Sequence, residues 1–158
     1  MKNETVENKN SYLSFKLGNE TFAIAVQKVL EVLEIQKITK VPKTPEHIKG
    51  VINFRGEILP VIDTRTKFNL PVIEDTTRTV IIVIDVKLNN KSMVLGAIAD
   101  SVQDVIEIPE STILAVPELG NNYNHNFLIG MFKIKNKFIM ILDIDKLFSG
   151  EELNLTKN

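Results

Sequence analysis

No cysteine and no tryptophan occur among the 158 residues of this chain. Without thiols there is no disulfide framework, no thiolate nucleophile and no cysteine-based metal site. The two histidines, His47 and His125, lie in loop-like segments without neighbouring ligand residues, which argues against an imidazole base or a metal centre. An excess charge of one sign is missing too. The 19 basic and 20 acidic residues leave a formal charge of −1, so no global field draws in nucleic acid or an anionic membrane. Aromatic residues make up only 6%, and the phenylalanines sit inside apolar runs as core residues do, which leaves no stacking platform for bases. No apolar run approaches the ~20 residues that span a bilayer. The first ten residues are polar, unlike the apolar centre of a signal peptide. Phosphate-cradling glycine loops and nucleophile-elbow serines are also missing. Asp143 and Asp145 have the spacing of a Mg²⁺ pair, but their apolar flanks favour a strand-end or helix-capping role. We therefore expect a cytoplasmic protein that is not an enzyme, with no catalytic residues, cofactor, metal, nucleic-acid partner or direct membrane insertion.

What the chain does have is β-forming sequence arranged twice. Ile48 to Asp63 is two β-branched runs around the polar corner Arg55-Gly56-Glu57, which predicts a hairpin with Arg55 at its tip. Pro60 lacks an amide donor, so the second strand should be unpaired on one side there, or bulged. Eighty positions on, Gly130 to Asp143 repeats the pattern. Gly50 matches Gly130, Asp63 matches Asp143, Phe68 matches Phe148, and Lys135-Asn136 replaces the Arg-Gly corner. Upstream, Glu31 to Ile35 matches Asp104 to Ile108 at an offset of 73. The growing offset calls for an insertion, for which the polar run from Leu119 to Asn126 is the candidate. One β unit is used twice.

Taken in order, residues 1–10 read as a disordered tail rich in Asn, Glu and Lys. Tyr12 to Ile24 reads as a hairpin turning at Gly18-Asn19, and Val26 to Val32 fits a helical turn or a strand. Gln36 to Val41 reads as a further strand. Val80 to Val86 is β-branched apart from Asp85 and so reads as a buried strand, returning through the turn at Asn89-Asn90. The expected divisions are a first barrel subdomain over 11–68, a connector over 69–79, a second barrel over 80–148 and a C-terminal helix or tail over 149–158. The fold class is mainly β: two compact five-stranded barrels packed side by side, with short helical segments, sharing an apolar interface. The Met1 start and polar tail lead us to expect a stand-alone chain.

The Ile48 to Asp63 stretch, with Ala23 to Val32 and Gly96 to Val105, resembles the CheW family of bacterial chemotaxis coupling proteins over about residues 11–155. The resemblance implies two SH3-like barrels around a shared core and a scaffold without enzymatic activity. It also implies two partners: the regulatory domain of the histidine kinase CheA and the cytoplasmic tip of methyl-accepting receptors. The protein would be a monomer in isolation and part of arrays with its partners. Residue by residue, the resemblance assigns receptor binding to Val29, Glu31, Gly50, Arg55, Gly96, Val102 and Val105, and kinase binding to Glu118 and Leu119. It also implies a Glu31–Arg55 ion pair. The alternatives are a single-stranded nucleic-acid-binding barrel, or a CheW-like domain serving a pathway other than motility.

Overall fold

The computed structural model describes residues 10–117 and 126–148. Ten strands run in chain order: β1 Ser11–Leu17, β2 Glu20–Ala25, β3 Val29–Glu34, β4 Ile48–Phe54, β5 Glu57–Ile62, β6 Val80–Leu88, β7 Lys91–Ala99, β8 Ser101–Glu107, β9 Leu128–Ile134 and β10 Lys137–Leu142. Two four-residue helices, α1 Thr64–Lys67 and α2 Ile144–Leu147, follow β5 and β10. Single 3₁₀ turns occupy Val26–Lys28 and Glu110–Thr112.

The strands form two five-stranded sheets, ordered β3-β6-β7-β5-β4 and β8-β1-β2-β10-β9. Each curls into an SH3-like barrel. The chain running on from β3 returns to β4 through a Thr39–Val51 bridge, and that from β8 returns to β9 through a Leu114–Met131 bridge. The expected division at 11–68 and 80–148 is not how these barrels are built. One barrel is continuous, taking β3 to β7 from residues 29–99, and the other is composite, taking β1 and β2 with β8, β9 and β10. Each repeat gives two strands to one barrel and three to the other. The exchange is joined by two short parallel contacts, β5 with β7 and β10 with β2. Offsets along a sequence reveal repeats but not which repeat supplies a strand's neighbour.

Strand alternation explains where the cores lie. Along β6, Ile82, Ile84 and Val86 face a core shared by both barrels, while Ile81 and Val83 face the interior of the continuous barrel. On β7, Leu95, Ala97 and Ala99 join the shared core and Ile98 the interior. Leu13, Phe15 and Leu17 of β1 and Phe22 and Ile24 of β2 supply the composite barrel's side of the shared core. Ala23, Ile139 and Ile141 fill its own interior. A strand buried on both faces cannot alternate with polar residues, which accounts for the unbroken β-branched run at 80–84, with Asp85 the one polar residue before Val86.

The repeat is visible in the backbone. Gly50 pairs with Val61 and Gly130 with Ile141, each next to a register slip. Asp63 N–H donates to His47 O and Asp143 N–H to Phe127 O, both at 2.7 Å. Asp63 and Asp143 cap α1 and α2 with their side chains, the capping role expected of Asp143. Arg55 and Lys135 hold the hairpin corners at φ 54° and 55°. At Pro60 the missing donor costs nothing. Val51, opposite it, sends its own N–H and C=O to Thr39, and β5 meets β7 only at Val61 and Ile62. Gln36 to Val41 forms no full strand, contributing only the Thr39 bridge.

Gly50 is required where the barrel closes. Its φ is 150°, and a Cβ there would lie 2.2 Å from Thr39 O. Gly18, at φ 64°, has open space around it. Gly50→Ala should therefore cost on the order of 3 kcal/mol, against about 1 kcal/mol for Gly18→Ala. Chemical denaturation of both variants checks this; equal losses would show that the closing bridge tolerates a side chain.

Candidate functional site

The corner of the β4–β5 hairpin has two successive residues at positive φ, Arg55 at 54° and Gly56 at 84°. That is the twist that suits a two-residue hairpin, and the Asn53 side chain supports it by accepting the Gly56 N–H at 2.9 Å. The turn holds Arg55 outward. Its guanidinium lies 4.9 Å from the Phe54 ring centroid and donates to Glu31 Oε1 at 2.6 Å. The Glu31–Arg55 pair is thus formed. β3 and β4 are opposite ends of the sheet, and only the curl closed by Thr39 brings them together. The two side chains are 36% and 73% exposed, so the pair shapes a surface and adds little to stability.

Beside the pair lies an apolar groove of about 720 Å³, lined by Leu30, Phe54, Ile58, Pro60, Met93 and Val94 among others. Ile58 is 79% exposed and Leu30 51%, a large apolar area for a solvent-facing surface.

The other expected receptor-binding residues separate into structural and surface positions. Gly50 closes the barrel. Gly96 sits in the interior of the continuous barrel, where a Cβ would meet the Ile81 side chain at 2.6 Å. Val29 and Val102, repeat mates, are partly buried against the shared core. Val105 is 62% exposed on β8, in the composite barrel, and its repeat mate Val32 is 40% exposed on β3. The structure therefore brings Glu31 and Arg55 together with Gly50 in one barrel wall, and places Val102 and Val105 in the other barrel. Glu118 and Leu119 lie outside the described residues. So do residues 1–9 of the expected tail, all but Asn126 of the expected insertion, and the whole of 149–158. Among the described residues no group of three or more His, Asp or Glu could hold a metal ion, and no helix is long and apolar enough to cross a membrane.

Sequence reasoning missed Arg65. It has no solvent exposure, and its Nε, Nη1 and Nη2 donate to Asp63 Oδ1 at 3.0 Å, Asp100 Oδ1 at 3.0 Å and Asp63 Oδ2 at 3.3 Å. Nη1 also reaches Ile73 O at 3.2 Å. Burial, the largest influence, lowers its pKa, but the bonds and charges of Asp63 and Asp100 outweigh it, so the guanidinium is held above its ordinary value. The available signal was an arginine two residues after a helix-capping aspartate, just past the apolar end of β5; its second acid, Asp100, is 35 residues away.

Arg65→Met strands two carboxylates in the interior and should cost about 3–5 kcal/mol, whereas Arg55→Ala should cost under about 1 kcal/mol. Urea denaturation of the two variants separates a buried ion network from a surface pair. A loss at Arg65 no larger than at Arg55 would contradict the geometry.

The family model for the CheW-like domain matches residues 11–152. Chemotaxis protein CheW of Klebsiella aerogenes is 35% identical over 147 residues, covering 93% of this chain and 86% of the relative. The crystal structure of scaffolding protein TtCheW from Thermoanaerobacter tengcongensis superposes with a TM-score of 0.78 at 31% identity, over 90% of each chain. Chemotaxis protein CheA of Bacillus subtilis is 28% identical over 131 aligned positions, with coverage of 75% of this chain and 19% of that protein.

Proposed function

The chain belongs to the CheW family, and from that premise we propose that it is a non-enzymatic, cytoplasmic chemotaxis adaptor. It couples methyl-accepting receptors to the histidine kinase CheA. The observation that carries the reading is a CheW-like domain match that spans both barrels, together with an exposed, pre-formed Glu31–Arg55 pair beside an apolar groove. A helical receptor tip presents apolar anchors at i, i+3, i+4 and i+7, and an apolar groove with charged groups at its margin suits such a partner. The similarity to part of a CheA protein supports the kinase as the second partner, since barrels of one kind can pack against each other through equivalent surfaces.

In this reading Glu31 and Arg55 fix the register of the receptor helix, and Val105 extends the contact onto the composite barrel. Gly50, Gly96, Val29 and Val102 act through the shape of the barrels, since each is packed or sterically constrained. Glu118 and Leu119 are assigned to the kinase contact.

The test is a co-sedimentation and kinase assay with purified CheA, a receptor signalling fragment and this protein. Receptor-dependent control of CheA phosphorylation should require the protein. Arg55→Glu should weaken receptor capture roughly tenfold, a difference of about 1.4 kcal/mol, while leaving the fold intact. The double variant Glu31→Arg with Arg55→Glu should recover much of it. Kinase output unchanged on omission of the protein would overturn the reading.

A further inference from the structure

Among the described residues, two ion pairs cross between the barrels at corresponding places in the two repeats: Arg65 and Asp145 are repeat mates, while Lys28 and Asp100 lie one position out of register with each other. Lys28 is the residue before β3 and pairs with Asp145, the second residue of α2. Asp100 is the residue before β8 and pairs with Arg65, the second residue of α1. Each clasp therefore joins the start of one repeat's third strand to the helix of the other repeat. The charges are exchanged between them: where one repeat supplies the cation, its mate supplies the anion.

Both clasps have bonds into each barrel. Lys28 Nζ lies 3.0 Å and 2.9 Å from the two Asp145 oxygens, and Asp145 Oδ1 also accepts the Lys87 N–H of β6 at 2.8 Å. Asp145 follows β10 of the composite barrel, whereas β6 belongs to the continuous one. Asp100 binds Arg65 through Oδ1 and accepts the Gly18 N–H of the β1–β2 turn through Oδ2 at 2.6 Å. Its own N–H donates to Lys16 O at 2.9 Å. Arg65 sits on the helix that follows β5 of the continuous barrel.

The clasps differ in solvation. Arg65 and Asp100 are 0% and 10% exposed, while Lys28 and Asp145 are 28% and 33% exposed. Opening the Arg65 clasp leaves buried charges with no water to replace their partners, so it stays shut. Opening the Lys28 clasp hands both charges to solvent, and dissolved ions compete for them.

We propose that this reciprocal pair sets the angle between the barrels, with the Arg65 clasp as the fixed joint and the Lys28–Asp145 clasp as the joint that yields. The spacing between outward side chains such as Ile58 on β5 and Phe138 on β10 then depends on ionic strength. It also depends on any partner charge that competes for Lys28 or Asp145. This inference concerns the barrels alone and stands whether or not the adaptor reading holds.

The absence of cysteine makes the test direct. Ile58→Cys and Phe138→Cys, spin-labelled in the full chain, report the inter-barrel distance by pulsed electron spin resonance. The distribution should be narrow at low salt and broaden near 1 M salt, where the screening length falls to about 3 Å. Lys28→Met keeps the aliphatic stem but loses the charge, and should give the broad distribution at every salt concentration. Lys28→Arg should restore the narrow one. Melting temperatures within about 2 °C of the parent would confirm that the variants remain folded. A distribution unaffected by salt and by Lys28→Met would overturn the proposal, as would a Lys28→Arg variant as broad as Lys28→Met.

Discussion

Apolar burial on both faces of four strands is the constraint from which the rest of this architecture follows. β1, β2, β6 and β7 each have one face in the shared core. Their other faces line a barrel interior or pack close to it. Neither barrel is large enough to be secure on its own, and the layer between them supplies what each lacks. The exchange of strands between repeats serves the same end, because it makes the walls that face each other out of segments from both. The polar joints at Arg65 and Lys28 then sit at the margins of that layer, where they fix orientation and leave cohesion to hydrocarbon.

With the inward faces committed, function belongs to the remaining surface. The outer faces of β3, β5, β8 and β10 carry apolar side chains at matched places, Val32 with Val105 and Ile58 with Phe138. The Arg55 corner with its Glu31 partner has a counterpart of similar charge in Lys135 and Asp104. The two surfaces are related but not identical. Under the adaptor role proposed above, such a pair lets one scaffold geometry present two chemistries.

Much of the fold was legible in the sequence. The glycines at 50 and 130, the aspartates at 63 and 143 and the two hairpin corners are local requirements of φ, close approach and capping, and local requirements leave local signatures. The β-branched run at 80–84 announced a strand buried on both sides. Which strands share a sheet was not legible, because β-pairing depends on long-range packing that alternation does not encode. The Glu31–Arg55 pair came from family resemblance, and the curl that makes it possible could not be read from spacing alone. Arg65 escaped notice for a related reason: one of its two carboxylates is near in sequence, but burial and the second carboxylate are products of the tertiary fold.

The uneven origin of the two barrels has a bearing on synthesis. All five strands of the continuous barrel have been made once residue 99 leaves the ribosome, so that barrel can assemble during translation. The β1–β2 hairpin emerges before that barrel, yet its permanent neighbours β8 and β10 are made only after it. Through that interval the hairpin is an unfinished edge resting on a younger companion, and its own barrel closes only when β8 to β10 have been translated.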